Sequence, residues 1–500
     1  MSTAQVRVVS GACAMSRKPR LSYPLFVRRW MFVWIFCRSL VHVLGLQNLN
    51  PASSFQANAE QRCRAPIVDY PRNGHGLPHT NKRGRFSAQL WRERAMTSPY
   101  PAGLIPPPAQ WKGEARHVAV ADYEPEGTGA FMRLYFPTDE RPPPAAWSVI
   151  GGRRPAWKPA LAYSRGMLHY IVNFDKRPWW QRALLTSVYV TMHAVATVMN
   201  TLPVSTGGPV KDGAKMPLIV FSHGLAGHRN MYAVLCSALA SQGYIVAAME
   251  HRDGSASCAS VVDADGVARH KAYVHTEPPN FDWRREQIIV RTRELDAAIA
   301  ALSSPAPPKN VFPGSTFDAS TLRGAVDVSR LTAMGHSFGG ATVVAAMRSN
   351  TAIRRVVLLD PWVEPFGACA EGVEGATHPL RAAAAAKLPT FVMNSHRWGA
   401  DLRPFYQHAD APWMECEVAG TRHQDCSDLP FRMPSLAKIM GMRGSVDLHR
   451  LFDLKLALID AFFEATEGRG GAFAGLEEAA SAVTRAYDGE MEIRLKCSPA

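Results

Sequence analysis

The chain has 500 residues and a formal net charge of +14, a length that suits one large domain with extensions or two ordinary domains. Fifteen Lys/Arg against three Asp/Glu lie in residues 1–100, a balance of +12 that leaves only +2 for the rest; the body carries no basic stripe interleaved with aromatics, which argues against a nucleic-acid partner. Nine cysteines with no C-x-x-C argue against a disulfide framework or a zinc site, with one bridge, such as Cys416 to Cys426, left open.

Residues 1–50 form a basic, acid-free leader, with Arg7, Arg17, Lys18, Arg20, Arg28, Arg29 and Arg38 spread through it. The apolar block from Trp30 is interrupted by Arg38 before Leu40 to Leu46, so a clean transmembrane span is not expected. An Arg-rich presequence, an imperfect signal or anchor, and a disordered tail all remain open readings. Localisation follows from that choice: membrane-associated, secreted or organellar through the leader, cytoplasmic if the leader is not functional. Residues 51–110 are rich in Pro, Gly, Asn, Arg and Ser and read as a linker. The folded domain is expected over 111–466, with a C-terminal tail at 467–500.

His117 to Tyr123 and Phe131 to Phe136 predict two strands separated by the Gly-containing turn Glu126 to Gly129. An apolar helical insertion follows at 179–202, about 36 Å long at helical rise. Leu184, Val188, Met192, Val195, Met199 and Leu202 make one stripe of it. The leading Trp179 and Trp180, flanked by Lys176, Arg177 and Arg182, are what an interfacial lipid-binding helix uses. Trp179, Trp180, Leu184, Val188 and Met192 are therefore candidate membrane-interface residues, against the alternatives of a helix packed on the domain or a true span.

From Pro217 short apolar strands alternate with helices. Strands are predicted at Leu218–Phe221, Tyr244–Met249, Leu331–Met334, Arg355–Leu359, Leu388–Asn394 and Met414–Val418. Helices are predicted at Asn230–Ser241, Arg284–Leu302, Ala341–Met347 and Leu448–Glu464. This alternation predicts an α/β fold, a mostly parallel central sheet with helices on both faces.

One strand-to-helix junction carries Gly335-His-Ser-Phe-Gly339, the chain's one G-x-S-x-G. That pattern is short enough for chance to supply, so its neighbours must carry the case. A serine hydroxyl becomes a useful nucleophile when a histidine takes its proton and a carboxylate orients the histidine. Asp360 follows the next strand directly, where parallel sheets collect reactive groups. His423 lies just past the last strand of the parallel series and completes the chain order Ser, Asp, His of α/β-hydrolases. His336, beside the serine, reads as a residue that shapes the site. Phe338, after the nucleophile, offers one backbone N–H to an oxyanion, and the loop Ser222 to Gly227 is placed to offer the other. No cofactor and no metal ion is called for.

Four blocks give the chain a resemblance to the platelet-activating factor acetylhydrolases of the plasma and type II intracellular kind. They are Pro217-Leu-Ile-Val-Phe-Ser-His-Gly-Leu225, Ile245-Val-Ala-Ala-Met-Glu-His-Arg-Asp-Gly-Ser-Ala-Ser257, Gly335-His-Ser-Phe-Gly-Gly-Ala-Thr342, and Leu359-Asp-Pro-Trp362 with Gly420-Thr-Arg-His-Gln424. The resemblance implies a calcium-independent, serine-dependent α/β-hydrolase that removes short or oxidised sn-2 acyl groups from phospholipids at a membrane or lipoprotein surface. It implies Ser337 as nucleophile, Asp360 as orienting acid, His423 as base, and Leu225 and Phe338 as oxyanion donors. It also places the segment at Trp179 where the family has its interfacial helix. Ala226 departs from the glycine often found there. A general short-chain esterase and a non-catalytic membrane-surface protein are the alternative functions, and the oligomeric state is open.

Overall fold

The computed structural model describes residues 117–497, apart from 142–154, 200–201, 203, 211–214, 264, 277–279, 368–382, 384–385, 399–401, 408, 410 and 468–475. The leader, with Trp30 to Leu46, and the whole of the linker therefore lie outside the described residues.

A ten-stranded sheet organises the domain. Its strands are β1 (His117–Tyr123), β2 (Met132–Thr138), β3 (Ser205–Thr206), β4 (Met216–Ser222), β5 (Ile245–Met249), β8 (Val326–His336), β9 (Arg355–Leu359), β10 (Thr390–Ser395), β11 (Trp413–Val418) and β12 (Ile493–Cys497). The spatial order is β12-β11-β10-β9-β8-β4-β5-β2-β1-β3. Strands β5, β4, β8, β9, β10 and β11 run parallel, while β2 and β12 pair antiparallel at the two sides of that block. A separate hairpin pairs β6 (Cys258–Val262) with β7 (Ala268–Ala272).

Period-2 alternation in fully apolar strands supplies a core on each face. Ile219 and Phe221 of β4, Val357 and Leu359 of β9, and Phe391 and Met393 of β10 belong to one cluster. Their chain neighbours Leu218, Val220, Val356, Leu358 and Val392 belong to the other. The helices are α1 (Leu161–Val172), α2 (Trp179–Met199), α3 (Ala233–Ser241), α4 (Phe281–Ser303), α5 (Phe338–Ala346), α6 (Leu448–Glu467) and α7 (Leu476–Arg485), with shorter turns between them. Helices α3, α6 and α7 cover the first face; α4 and α5 cover the second. Pro217, which has no N–H to give the ladder, sits where the β4–β8 register shifts.

The order of the strands positions the site. From β4 the chain moves to β5 on one side, then crosses back to β8 on the other. The loops after β4 and β8 therefore leave neighbouring strand ends at a topological switch point, the place where open parallel sheets bind ligands.

Several expectations are corrected. The tail at 467–500 contains two ordered elements: α7 buries Leu476, Ala480 and Val483, and β12 extends the sheet beside β11. Helix α4 begins at Phe281 and not Arg284 because the Asn280 side chain caps it, accepting from the Trp283 N–H at 3.0 Å. Helix α1 and the β6–β7 hairpin carry no clear period in the sequence and were not expected. The pair left open by the sequence, Cys416 and Cys426, consists of free thiols.

Candidate active site

Ser337 occupies the turn between β8 and α5 with φ 56° and ψ −121°, a conformation that non-glycine residues rarely adopt. Holding a residue there costs on the order of 1–3 kcal/mol, and a set of hydrogen bonds opposes the loss. The Ser337 N–H donates to Leu359 O at 2.9 Å, and its carbonyl accepts from Gly340 and Trp362 at 2.8 and 2.9 Å. The neighbouring glycines are steric necessities. A Cβ on Gly335 would lie 2.3 Å from Gly339 O, and one on Gly339 would lie 2.0 Å from Ser222 O.

Asp360 leaves the carboxyl end of β9 with φ 42°. Its buried carboxylate accepts from the Ser395 N–H at 2.5 Å, from Ser395 Oγ at 2.7 Å, and from His423 Nδ1 at 3.0 Å. That contact puts the imidazole proton on Nδ1 and leaves Nε2 as an acceptor. His423 starts a 3₁₀ turn, His423–Cys426, and its ring is held between two others. Trp398 stacks on it at 4.0 Å and 5°, and His336 faces it at 4.4 Å and 31°. Trp398 is in turn fixed by its indole N–H, which donates to Pro361 O at 3.0 Å.

Ser337 and His423 line one cleft. No hydrogen bond joins them among the described residues, a geometry that commonly tightens only when substrate binds.

The loop after β4 closes the other side. Ala226 adopts φ 55° and donates to Ser255 O at 2.7 Å, and Gly227 N–H donates to Gly224 O at 3.0 Å. Arg291 of α4 ties this loop down from beneath. It donates to His223 O at 2.8 Å and to Ser255 Oγ at 2.9 Å, with its guanidinium 4.5 Å from the Phe338 ring. Burial, and then the Arg291 charge, push the His223 imidazole well below its usual range, so it is neutral. Neither the Leu225 nor the Phe338 N–H donates to any partner among the described residues, which leaves two amides available beside Ser337.

His336, Asp360 and His423 offer ligand atoms within 4.8 Å of one another. A metal there would compete with existing bonds: His336 commits its ring nitrogens to Tyr232 Oη at 2.7 Å and His423 O at 3.2 Å, and His423 Nδ1 is held by Asp360.

The cleft has about 880 Å³ of space including its mouth. Its walls include Met167, Tyr170 and Ile171 of α1, together with Met231, Trp362, Leu429 and Met442. Helix α2, which packs on α1, presents Trp179 at 75% exposure and Trp180 at 47%, while Leu184 is half-buried and Leu185 is turned inward. The side chains of Val188 and Met192 lie outside the described residues. Among the described residues, no helix is long and apolar enough to cross a membrane.

Of the residues read from the sequence, Leu225, Ser337 and His423 line this cleft, while Asp360 and Phe338 are buried behind it; Ser395, Trp398, Arg291 and the α1 wall are not legible as part of the site in the same way. Ser395 had a signal, since it ends the strand that follows Asp360. The others are set by distant packing.

The family model for platelet-activating factor acetylhydrolase, isoform II, matches residues 94–476. A platelet-activating factor acetylhydrolase from Canis lupus familiaris is 29% identical over 444 residues, covering 85% of this chain and 85% of that protein. One from Cavia porcellus is 29% identical over 338 residues, covering 65% of this chain and 70% of that protein. A solved ferulic acid esterase from Streptomyces cinnamoneus aligns at 17% identity and a TM-score of 0.45, over 71% of this chain and 92% of that one; the fold is read from strand order and not from that loose likeness. Because the family match runs through every strand that builds the cleft, the chain belongs to the platelet-activating factor acetylhydrolase, isoform II, family.

Proposed function

We propose that this chain is a calcium-independent phospholipase A2-type hydrolase that releases short or oxidised sn-2 acyl groups from phospholipids through an acyl-enzyme on Ser337. The observation that carries this reading is the meeting of a strained serine, a carboxylate-held imidazole and two unpaired amides at one apolar cleft. Ser337 Oγ attacks the sn-2 carbonyl as its proton passes to His423 Nε2. The Leu225 and Phe338 amides stabilise the oxyanion. His423 then protonates the departing lysophospholipid oxygen, and the same ring activates the water that frees the acid. Asp360, fixed by two hydrogen bonds from Ser395, orients the ring and supports the imidazolium.

The exposed Trp179 and Trp180 pair supports a second part of the reading: the start of α2 docks at the lipid surface and delivers substrate past α1.

Replacing Ser337 with alanine is expected to abolish hydrolysis and fluorophosphonate labelling while the far-ultraviolet spectrum stays native. Full activity in that variant refutes the assignment. A panel of phospholipids differing only in sn-2 chain is expected to show preference for short chains. Equal turnover of soluble nitrophenyl esters and micellar phospholipid would favour a general short-chain esterase instead.

A further inference from the structure

Beneath the cleft lies a chain of three hydrogen bonds whose direction is forced. The Gly224 N–H donates to Tyr232 Oη at 3.1 Å. His423 O, a carbonyl, only accepts, so His336 Nε2, 3.2 Å away, must carry a proton and donate it. Burial, and then the neighbouring His423, push the His336 imidazole well below its usual range, so the ring is neutral and its Nδ1 is an acceptor. The Tyr232 hydroxyl proton therefore points to His336 Nδ1, at 2.7 Å. Both side chains are almost wholly buried, Tyr232 at 3% and His336 at 1% exposure.

We propose that Tyr232 and His336 are positioning residues that hold the oxyanion loop and the base in register across the nucleophile; this rests on the roles given above to Leu225, Ser337 and His423. One end of the relay is the amide immediately before Leu225. The other is the backbone of His423 itself. Its middle member, His336, adjoins Ser337 in the chain. The contact is tight there as well, because a Cβ on Gly224 would lie 3.1 Å from Ser337 Cβ and 3.2 Å from His336 Nδ1. Displacing any of these three groups by an ångström is enough to lose much of the benefit of fixed geometry. Neutrality matters too. The His336 ring lies 4.4 Å from that of His423, and a cation there would oppose the proton that His423 must take.

Steady-state kinetics on the full chain with a short-chain nitrophenyl ester tests this, with fluorophosphonate labelling as an independent reading of Ser337. Tyr232→Phe keeps the ring and deletes the relay oxygen. It is expected to lower kcat roughly 10- to 100-fold, with KM within about twofold of wild type. His336→Gln, with an amide that can donate and accept, is expected to keep several times more activity than His336→Leu, which fills similar space without polar atoms. Wild-type kcat in folded Tyr232→Phe overturns the relay, even if the melting temperature falls, and leaves the nucleophile assignment standing when labelling persists. Equal kcat in the two His336 variants overturns it as well, and that comparison stands if Tyr232→Phe does not fold. Absence of Ser337 labelling in the wild type overturns the serine mechanism and the relay together.

Discussion

Ala226, Ser337 and Asp360 all have positive φ, at 55°, 42° and 56° for Ala226, Asp360 and Ser337 respectively. Among the described residues six non-glycine residues do so, and half of them stand around one cleft, the clustering expected where strain serves geometry. Ser337 and Asp360 need their side chains for the chemistry proposed above. Ala226 has no such need, since what matters beside it is the Leu225 amide. Ala226→Gly is therefore expected to raise unfolding stability in urea by about 0.5–1 kcal/mol, the relief of the left-handed strain less the added freedom of the unfolded chain. Its kcat is expected to stay within about twofold of wild type. A destabilised variant would show that the Ala226 methyl contributes packing that outweighs the strain.

The short turn that carries His423 is held by its own acid. The Asp425 carboxylate accepts from the Arg422 N–H at 2.7 Å and from Gly444 N–H at 3.0 Å. Burial raises its pKa to about 6, against the lowering effect of those two amides and of Lys455 and Arg443. The sign of the consequence follows from linkage: an acid whose folded pKa lies above its unfolded 3.8 keeps its proton longer when folded, so it takes stability away as pH rises from about 4 to 6, and the penalty is constant above that. The gap of about two pKa units corresponds to roughly 3 kcal/mol at neutral pH. Asp425→Asn removes the titration and keeps an acceptor. The difference in unfolding free energy between variant and wild type is expected to shift toward the variant by about that amount between pH 4 and pH 7. A difference that does not change with pH refutes this account. Helix α2 makes a separate prediction. Replacing Trp179 and Trp180 with serine is expected to reduce co-flotation with anionic liposomes several-fold while leaving turnover of a soluble ester unchanged. Unaltered flotation would remove α2 from the membrane interface.

For the molecule as a whole, the C-terminal pair α7 and β12 completes what the parallel sheet leaves open. Strand β12 covers the edge of β11 from Val418 to Met414. Leu476, Ala480, Val483 and Tyr487 seal one core cluster. At about 1.5–3 kcal/mol for each large apolar side chain buried, this is a substantial part of a typical domain's net stability. A chain ending at Glu467 is expected to melt at least 10 °C lower and to scatter light on warming, because the β11 edge becomes a template for pairing. Retention of the full melting temperature would show that these elements are dispensable. The family match ends at residue 476, so nearly all of this cover lies beyond it.

The sequence by itself determined the strands that are apolar on both faces, the elbow at Ser337, the chain order through Asp360 to His423 and the loop at Leu225, because each is encoded by a short run of residues. Helix α7 is legible as well, with Leu476, Ala480 and Val483 at helical spacing, although a tail is expected there. Only the tertiary structure decided that Trp398 and His336 would sandwich the His423 ring, that Ser395 would hold Asp360, that Arg291 would anchor the loop after β4 from another helix, and that Tyr232 would join Gly224 to His336. Those pairs are separated by up to 104 residues, and nothing local in either partner encodes the other. They meet because the crossover from β5 to β8 and the parallel register bring the carboxyl ends of β4, β8, β9 and β10 to one rim, where a few ångströms decide which hydrogen bonds form.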